Sequence, residues 1–141
     1  HPDVRRRFLG GTTAVASMYH AVEGVRLLLD VGLEAVRAHS LALTERALDH
    51  ADALDLPLRS PRSPDARSAM VLLDVPHAEQ MVAYLKQHNI YTDSRRNRVV
   101  RMAPFVWNTA AEIDRTFERI DEGISTGAYR DVHVDTHGPV T

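Results

Sequence analysis

Apolar side chains spaced three and four residues apart predict two long helices in the first part of the chain. The first runs from Ala14 to Leu29 behind a Thr cap, with an apolar stripe made of Val15, Met18, Val22, Val25 and Leu29. The second runs from about Leu33 to Leu54, with a stripe made of Val36, Leu43, Ala47, Ala51 and Leu54. Gly32 separates the two helices, and Pro57 ends the second.

The same spacing predicts a further helix near the end of the chain, with apolar positions at Ile113, Phe117, Ile120 and Ile124. Thr109 precedes this run and Glu112 stands three residues after it, which is the spacing of a capping box. We expect Gly123 and Gly127 to close the helix. Residues 125–141 are rich in Gly, His and Thr, and we expect them to form a poorly ordered tail.

Between these helices the pattern changes to shorter elements. Met70–Val75 is apolar and is followed by Pro76, so it is predicted to be a buried strand. Helical spacing returns from His77 to His88. Two extended segments follow, Ile90–Asp93 and Val99–Met102, joined by a charged turn.

This order of elements predicts an α/β fold of the small-domain kind, in which two long helices precede a short mixed or antiparallel sheet covered by helices. A chain of 141 residues suits a single domain, which we place at residues 1–124. So small a sheet keeps an open face or edge, which leaves room for a partner.

The composition, with 44% apolar and 26% charged residues, is that of an ordinary soluble globular protein. No apolar run approaches the ~20 residues that cross a bilayer, so we expect no membrane association. The chain contains no Cys, which excludes disulfides and fits a cytoplasmic protein. All but one of the 17 basic residues are arginines, yet the formal net charge of −2 argues against a nucleic-acid binder.

Gly11 and Thr12 form the first candidate site, because they stand just before a predicted helix. Free N–H groups at a helix start can hold a phosphate, and glycine lets the backbone approach it closely. The same residues also suit a plain helix cap, and spacing does not separate the two roles.

Arg101 forms the second candidate site. Strand alternation in Val99–Met102 points its side chain to the opposite face from Val100, and a guanidinium suits bidentate binding of a carboxylate. Asp93 and Arg95 lie in the adjoining segment. The alternative is a charged turn that is merely solvated.

Three potential metal ligands share one strand face in the tail, namely His133, Asp135 and His137. A terminal segment followed by Gly138 and Pro139 is a poor frame for a fixed set of ligands. We therefore predict no metal site. No local signature of a Ser-His-Asp arrangement is present either, and we predict no catalytic residue in this chain.

The order of the motifs resembles that of a known enzyme family. The Arg-Phe-x-x-Gly-Thr motif that opens the C-terminal part of class V aminotransferase-fold enzymes is similar to Arg6-Arg7-Phe8-Leu9-Gly10-Gly11-Thr12. Later segments are similar to those of kynureninases: residues 36–44, Asp93-Ser94-Arg95, Val100-Arg101-Met102-Ala103-Pro104, and Asn108-Thr109 with Glu112-Ile113. Over about residues 5–124 the chain thus resembles the C-terminal small domain of a kynureninase-like fold-type I pyridoxal-phosphate enzyme.

The resemblance implies roles for five residues. Gly11 and Thr12 would reach the cofactor phosphate of the neighbouring subunit. Arg101 would bind the α-carboxylate of the substrate, and Asp93 and Arg95 would shape the same wall of the site. The chain departs from the kynureninase pattern at residues 105–107, Phe-Val-Trp, where the family tends to have Leu-Tyr, and this departure leaves the exact substrate open.

The resemblance also implies what lies elsewhere. Enzymes of this type hold pyridoxal phosphate on a Schiff-base lysine that precedes the matched region. Lys86, the sole lysine, falls in a helix where the family has no catalytic group. We therefore expect a C-terminal fragment or separate domain, inactive alone and not covalently bound to the cofactor. Its expected partners are a missing N-terminal large domain and a second subunit of a homodimeric parent enzyme.

The function implied by the resemblance is that of a kynureninase, which hydrolyses kynurenine to anthranilate and alanine. Within the same superfamily an aminotransferase, a cysteine desulfurase or an epimerase is the alternative, because a small domain carries few groups that determine the reaction. A hypothesis from another class is a non-catalytic dimerisation or binding module. An arginine-rich nucleic-acid binder is a third, which the net charge disfavours.

Overall fold

The computed structural model describes Gly11 and residues 14–134. The chain divides into two compact units, His1–Val36 and Arg37–Thr141. In the first unit, helix α1 (Val15–Val31) ends at Gly32, whose N–H donates to the carbonyl of Leu28. None of the residues of α1 is buried, so the predicted stripe forms an exposed apolar face along that helix.

Helix α2 (Leu33–Ala53) continues into the second unit, which holds the remaining elements in chain order. These are β1 (Val71–Asp74), α3 (Ala78–Gln87), β2 (Asp93–Arg95), β3 (Val99–Met102), α4 (Ala110–Thr126) and a 3-10 turn (Ala128–Asp131). The three strands form one sheet in the order β1-β3-β2, and both pairs are antiparallel. The predicted α/β small domain with a short helix-covered sheet is therefore confirmed, and the sheet is antiparallel.

Side chains of the central strand β3 alternate between the two faces of the sheet. Val100 and Met102 are buried, whereas Arg101 between them is partly exposed. Val71 and Leu73 of β1 lie in the same core, and buried residues of three helices complete it, among them Leu43, Ala47, Met81, Leu85, Ile113, Phe117 and Ile120. The other face of the sheet carries Leu72, Arg101 and Asp93 side by side, because these residues are register partners.

Strand β2 was predicted at Ile90–Asp93, and that position is wrong, because it begins only at Asp93. The reason is the tight turn to β3, in which Arg96 and Asn97 both have positive φ, 53° and 48°. Positive φ at both central positions is the signature of a type I′ turn, which fixes the register of a hairpin. The carbonyl of Arg95 accepts the N–H of Arg98 at 3.2 Å, so the strands must pair up to the turn itself.

Asn97, in the hairpin turn, also accepts hydrogen bonds from the first residues of helix α3. Its side-chain Oδ1 accepts the N–H of Glu79 at 3.0 Å, and its carbonyl accepts the N–H of Ala78. The first N–H groups of a helix lack partners within the helix, so these two bonds act as its cap. The hairpin turn and the helix start are thereby joined at one residue.

Helix α4 carries the predicted capping box, in which Thr109 and Glu112 bond each other's backbone N–H. Its end differs from the prediction, because Gly123 lies inside the helix and Gly127, with φ 74°, follows its last residue. Ile124, the last of the apolar positions with helical spacing, is exposed. Beyond α4 the 3-10 turn buries Tyr129, so part of segment 125–134 packs on the core, while residues 135–141 lie outside the described part.

Gly123 is buried because another helix packs directly on it. A Cβ at this position would stand 3.1 Å from Cε1 of Tyr84 and 3.4 Å from Cε of Met81. Gly24 in α1 offers a matched comparison, because no described residue comes within 4 Å of its own Cβ position.

We predict that Gly123→Val lowers the free energy of unfolding by about 1–3 kcal/mol more than Gly24→Val does. The two changes share the same difference in helix propensity, so the excess measures the contact with Tyr84 and Met81. Urea denaturation of both variants tests this. Equal losses of unfolding free energy in the two variants would show that α3 moves to accommodate the added side chain at no cost.

Asp114 ties α4 to α2. Its Oδ2 accepts Nη2 of Arg46 at 2.7 Å, and its Oδ1 lies 2.7 Å from Nε2 of His50. The His50 ring stacks on Phe117 with centroids 5.2 Å apart. The hydrogen bonds from Arg46 and His50 lower the pKa of the Asp114 carboxyl from 3.8 to about 2.

A carboxyl whose pKa is lowered by folding stabilises the protein only while it is ionised. We therefore predict that the stability gap between the native chain and Asp114→Asn is full above about pH 5 and shrinks as the pH falls through 4 towards 2. Denaturant unfolding at several pH values tests this. Asp121→Asn, an exposed position on the same helix that makes no ion pair among residues 14–134, should show no such gap. A gap for Asp114→Asn that is as large at pH 2 as at pH 7 would contradict the assignment.

Candidate functional site

Arg101 and Asp93 form a bidentate pair across the two adjacent strands. The Nε of Arg101 donates to Oδ1 of Asp93 at 2.8 Å, and its Nη2 donates to Oδ2. The two residues are register partners on β3 and β2, so the sheet itself places them opposite each other. Their side chains keep 30% and 40% of their exposure, so the pair sits at the surface of the sheet rather than in the core.

The pair leaves one edge of the guanidinium available. Asp93 occupies the Nε–Nη2 edge, and no acceptor among the described residues bonds Nη1 of Arg101. A guanidinium carries five N–H donors, so the Nη1–Nη2 edge can still receive a second carboxylate in a fork geometry. Arg95 lies 3.3 Å from the same Asp93 carboxylate and is more exposed. The structure thus brings together Asp93, Arg95 and Arg101, the three residues predicted to bind substrate.

A second carboxylate on the sheet binds two arginines in the same way. Asp74 of β1 accepts Nη2 of Arg59 at 2.6 Å and Nε of Arg98 at 2.9 Å. Each cluster holds one carboxylate and two guanidinium groups, so each carries a formal charge of +1. This surplus favours an anion at the outer face of the sheet.

The two predicted phosphate-binding residues lie in the first unit. Gly11 is exposed and has φ 147°, a backbone conformation that favours glycine. Thr12 lies outside the described residues. The phosphate role of both therefore remains a prediction.

Lys86 lies on α3 and is exposed to solvent. Within residues 14–134, no three His, Asp or Glu side chains come close enough together to hold a metal ion, while Asp135 and His137 are not described. Over the same range no helix is both long enough and apolar enough to cross a membrane.

A cleft of about 430 Å³ opens at the end of the sheet, where β3 leads into α4. We call it the Trp107 cleft, and its lining includes Tyr91, Thr92, Met102, Trp107, Glu112 and Arg115. Arg101 is not among the lining residues. Trp107 and Tyr91 are 72% and 76% exposed, unusually high values for large aromatic side chains.

The turn that presents Trp107 is tightly bonded. Asn108 closes it twice, because its Oδ1 accepts the N–H of Phe105 and its own N–H donates to the Phe105 carbonyl, both at 2.9 Å. His39 of α2 lies with Nε2 2.9 Å from the carbonyl of Asn108. The Phe105 and Trp107 rings meet edge to face, with centroids 4.6 Å apart. The turn therefore fixes the backbone at Trp107, and the Trp107 ring contacts Phe105 although most of it faces solvent.

Sequence reasoning found the Arg101 group but missed the Trp107 cleft. Strand alternation at Arg101, with Asp93 and Arg95 nearby in sequence, pointed to an anion site, whereas Tyr91, Trp107 and Arg115 share no local motif. A usable signal was present in the run Phe-Val-Trp at 105–107, because three apolar residues directly before a helix cap predict either a buried or a contact surface.

Two curated proteins are similar in sequence. The uncharacterized aminotransferase YcbU of Bacillus subtilis is 29% identical over 117 residues, which cover 83% of this chain and 31% of that protein. A probable cysteine desulfurase of Halobacterium salinarum is 28% identical over 131 residues, which cover 82% of this chain and 31% of that protein. The chain thus spans about a third of the length of these relatives.

A solved structure has the same fold. The apo structure of a cysteine desulfurase from Thermococcus onnurineus NA1 matches with a TM-score of 0.78 at 22% identity, over 85% of this chain and 34% of that one. The model of the kynureninase C-terminal domain family matches residues 36–120, more than half of the chain, and includes the strands that carry Asp93 and Arg101. This chain belongs to the kynureninase C-terminal domain family.

Proposed function

We propose that this chain is the small domain of a pyridoxal-phosphate-dependent enzyme, in which Arg101 binds the α-carboxylate of an amino-acid substrate. The observation that carries the proposal is the geometry of the Arg101–Asp93 pair, which fixes the guanidinium and leaves its Nη1–Nη2 edge open. A fork–fork contact with a carboxylate is short, charge-assisted and directional. Such a contact would hold the substrate in one orientation while a bond elsewhere in it reacts.

Asp93 has a positioning role in this proposal. An arginine side chain has several rotatable bonds, and ordering them costs entropy when a ligand binds. The bidentate bond to Asp93 orders the Arg101 side chain before substrate arrives. Asp93 also places a negative charge beside the site, and the nearby Arg95 offsets it.

The residues of this chain do not fit covalent attachment of pyridoxal phosphate, because Lys86 is exposed on α3 and no other lysine is present. When bound, this cofactor supplies an electron sink for bonds at the α and β carbons of an amino acid. We propose that the lysine comes from a large domain outside these residues. Gly11 and Thr12 would add backbone N–H donors to the phosphate of a neighbouring subunit, as expected for a homodimer.

For the reaction of the complete enzyme we propose hydrolysis of a kynurenine-like substrate. Membership of the kynureninase C-terminal domain family supports this choice. An aminotransferase is the second candidate, and the likeness to YcbU supports it. A cysteine desulfurase has weaker support, because a thiolate that accepts sulfur would have to come from outside this chain, which has no Cys.

In the enzyme that carries this chain, Arg101→Ala should raise the KM for the amino-acid substrate by ~10² or more. This change corresponds to the loss of a charge-assisted fork worth about 2–4 kcal/mol. Steady-state kinetics measures it, with Arg98→Ala as the control, since Arg98 precedes the same strand but pairs with Asp74. An unchanged KM, or an equal rise in the control, would remove Arg101 from the substrate site.

Asp93→Asn should raise KM by about tenfold and leave kcat nearly unchanged, because the amide can accept only one of the two Arg101 bonds and no longer fixes the guanidinium. The matched control is Asp74→Asn, which removes the same charge from the other cluster on the sheet. If the two variants changed KM alike, the effect would be one of general charge, and the positioning role would be excluded.

A further inference from the structure

We propose that the Trp107 cleft is a binding site for a small planar aromatic carboxylate, with the ring against Trp107 and Tyr91 and the carboxylate on Arg115. This site is separate from the one proposed around Arg101. Its test does not require turnover, so the two proposals can fail independently.

The size and lining of the cleft match a small-molecule site. Ligand pockets measure about 300–1,000 Å³ and combine apolar or aromatic walls with a few polar groups. The Trp107 cleft measures about 430 Å³ and combines the aromatic side chains of Trp107 and Tyr91 with the polar groups of Arg115 and Thr92. Flat aromatic faces bind another flat ring by offset stacking or edge-to-face contact.

Arg115 gives the cleft a cation with free hydrogen-bond donors, which suits an anion. Arg115 is exposed and forms no ion pair with any residue in the described part of the chain. Its Nη2 donates to the carbonyl of His88 at 3.2 Å, which leaves other N–H donors for a ligand. Glu112 lines the same cleft, but its carboxylate accepts the backbone N–H of Thr109 at 2.7 Å within the capping box. The start of α4 therefore offsets the negative charge of Glu112.

Thr92 supplies an independent observation in favour of a ligand in the cleft. Its Oγ1 is buried and has no hydrogen-bond partner among residues 14–134. A buried hydroxyl without a partner costs free energy, so such groups are uncommon in folded proteins. Because Thr92 lines the cleft, a polar atom of a bound ligand could satisfy it.

The two sites face opposite sides of the sheet. Met102 of β3 and Thr92, which directly precedes β2, line the cleft, whereas their sequence neighbours Arg101 and Asp93 form the pair on the outer face. Side chains alternate between faces along a strand. A ligand in the cleft therefore does not compete with a carboxylate on Arg101.

The proposal can be tested by titrating benzoate into protein labelled with 5-fluorotryptophan. The Trp107 signal is assigned by its loss in Trp107→Phe. We expect a saturable shift of this signal in the millimolar range, as befits so small a ligand. Benzamide, which lacks the charge, and cyclohexanecarboxylate, which lacks the flat ring, should each bind about tenfold or more weakly.

Arg115→Gln should weaken benzoate binding by about tenfold or more. Arg119→Gln is the matched control, because Arg119 lies one turn further along α4, pairs with Glu122 and does not line the cleft. The fluorine spectrum of each variant without ligand reports whether the fold is kept. Absence of a saturable shift, equal affinity for all three ligands, or full binding by Arg115→Gln would each overturn the proposal.

Discussion

The alternation of side chains along β3 is the constraint on which the rest of the structure depends. Val100 and Met102 enter the core, and Arg101 between them faces outward to Asp93. A slip of one residue in the pairing would exchange the two faces, burying a guanidinium and exposing two apolar side chains. The hydrophobic core and the candidate carboxylate site are therefore set by the same register.

Much of the fold could be predicted because its signals are local. The capping box at Thr109 and Glu112 and the apolar run of β3 both lie within a few neighbouring residues. The position of β2 could not be predicted, because β2 is defined by its partner strand and by a turn with two left-handed residues, neither of them glycine. The burial of Gly123 could not be predicted either, because it depends on the position of Tyr84 in another helix.

In the candidate site, too, some features have a local sequence signal and others depend on tertiary contacts. Arg101 could be singled out from alternation and chemistry, and the family resemblance added Asp93 and Arg95. Their mutual geometry required the sheet, which places residues eight positions apart in direct contact. The Trp107 cleft combines side chains from the approach to β2, the exit from β3 and the first turns of α4, so no single stretch of sequence contains its chemistry.

Asn97 has a consequence for how this part of the protein opens and closes. Because it stands in the hairpin turn and also caps α3, the two elements share a residue at which both can lose hydrogen bonds. Local fluctuations that undo the turn must also release the first amides of the helix. We therefore expect hydrogen exchange at Ala78 and Glu79 to follow that of the β2–β3 hairpin, so that turn, hairpin and helix start open together.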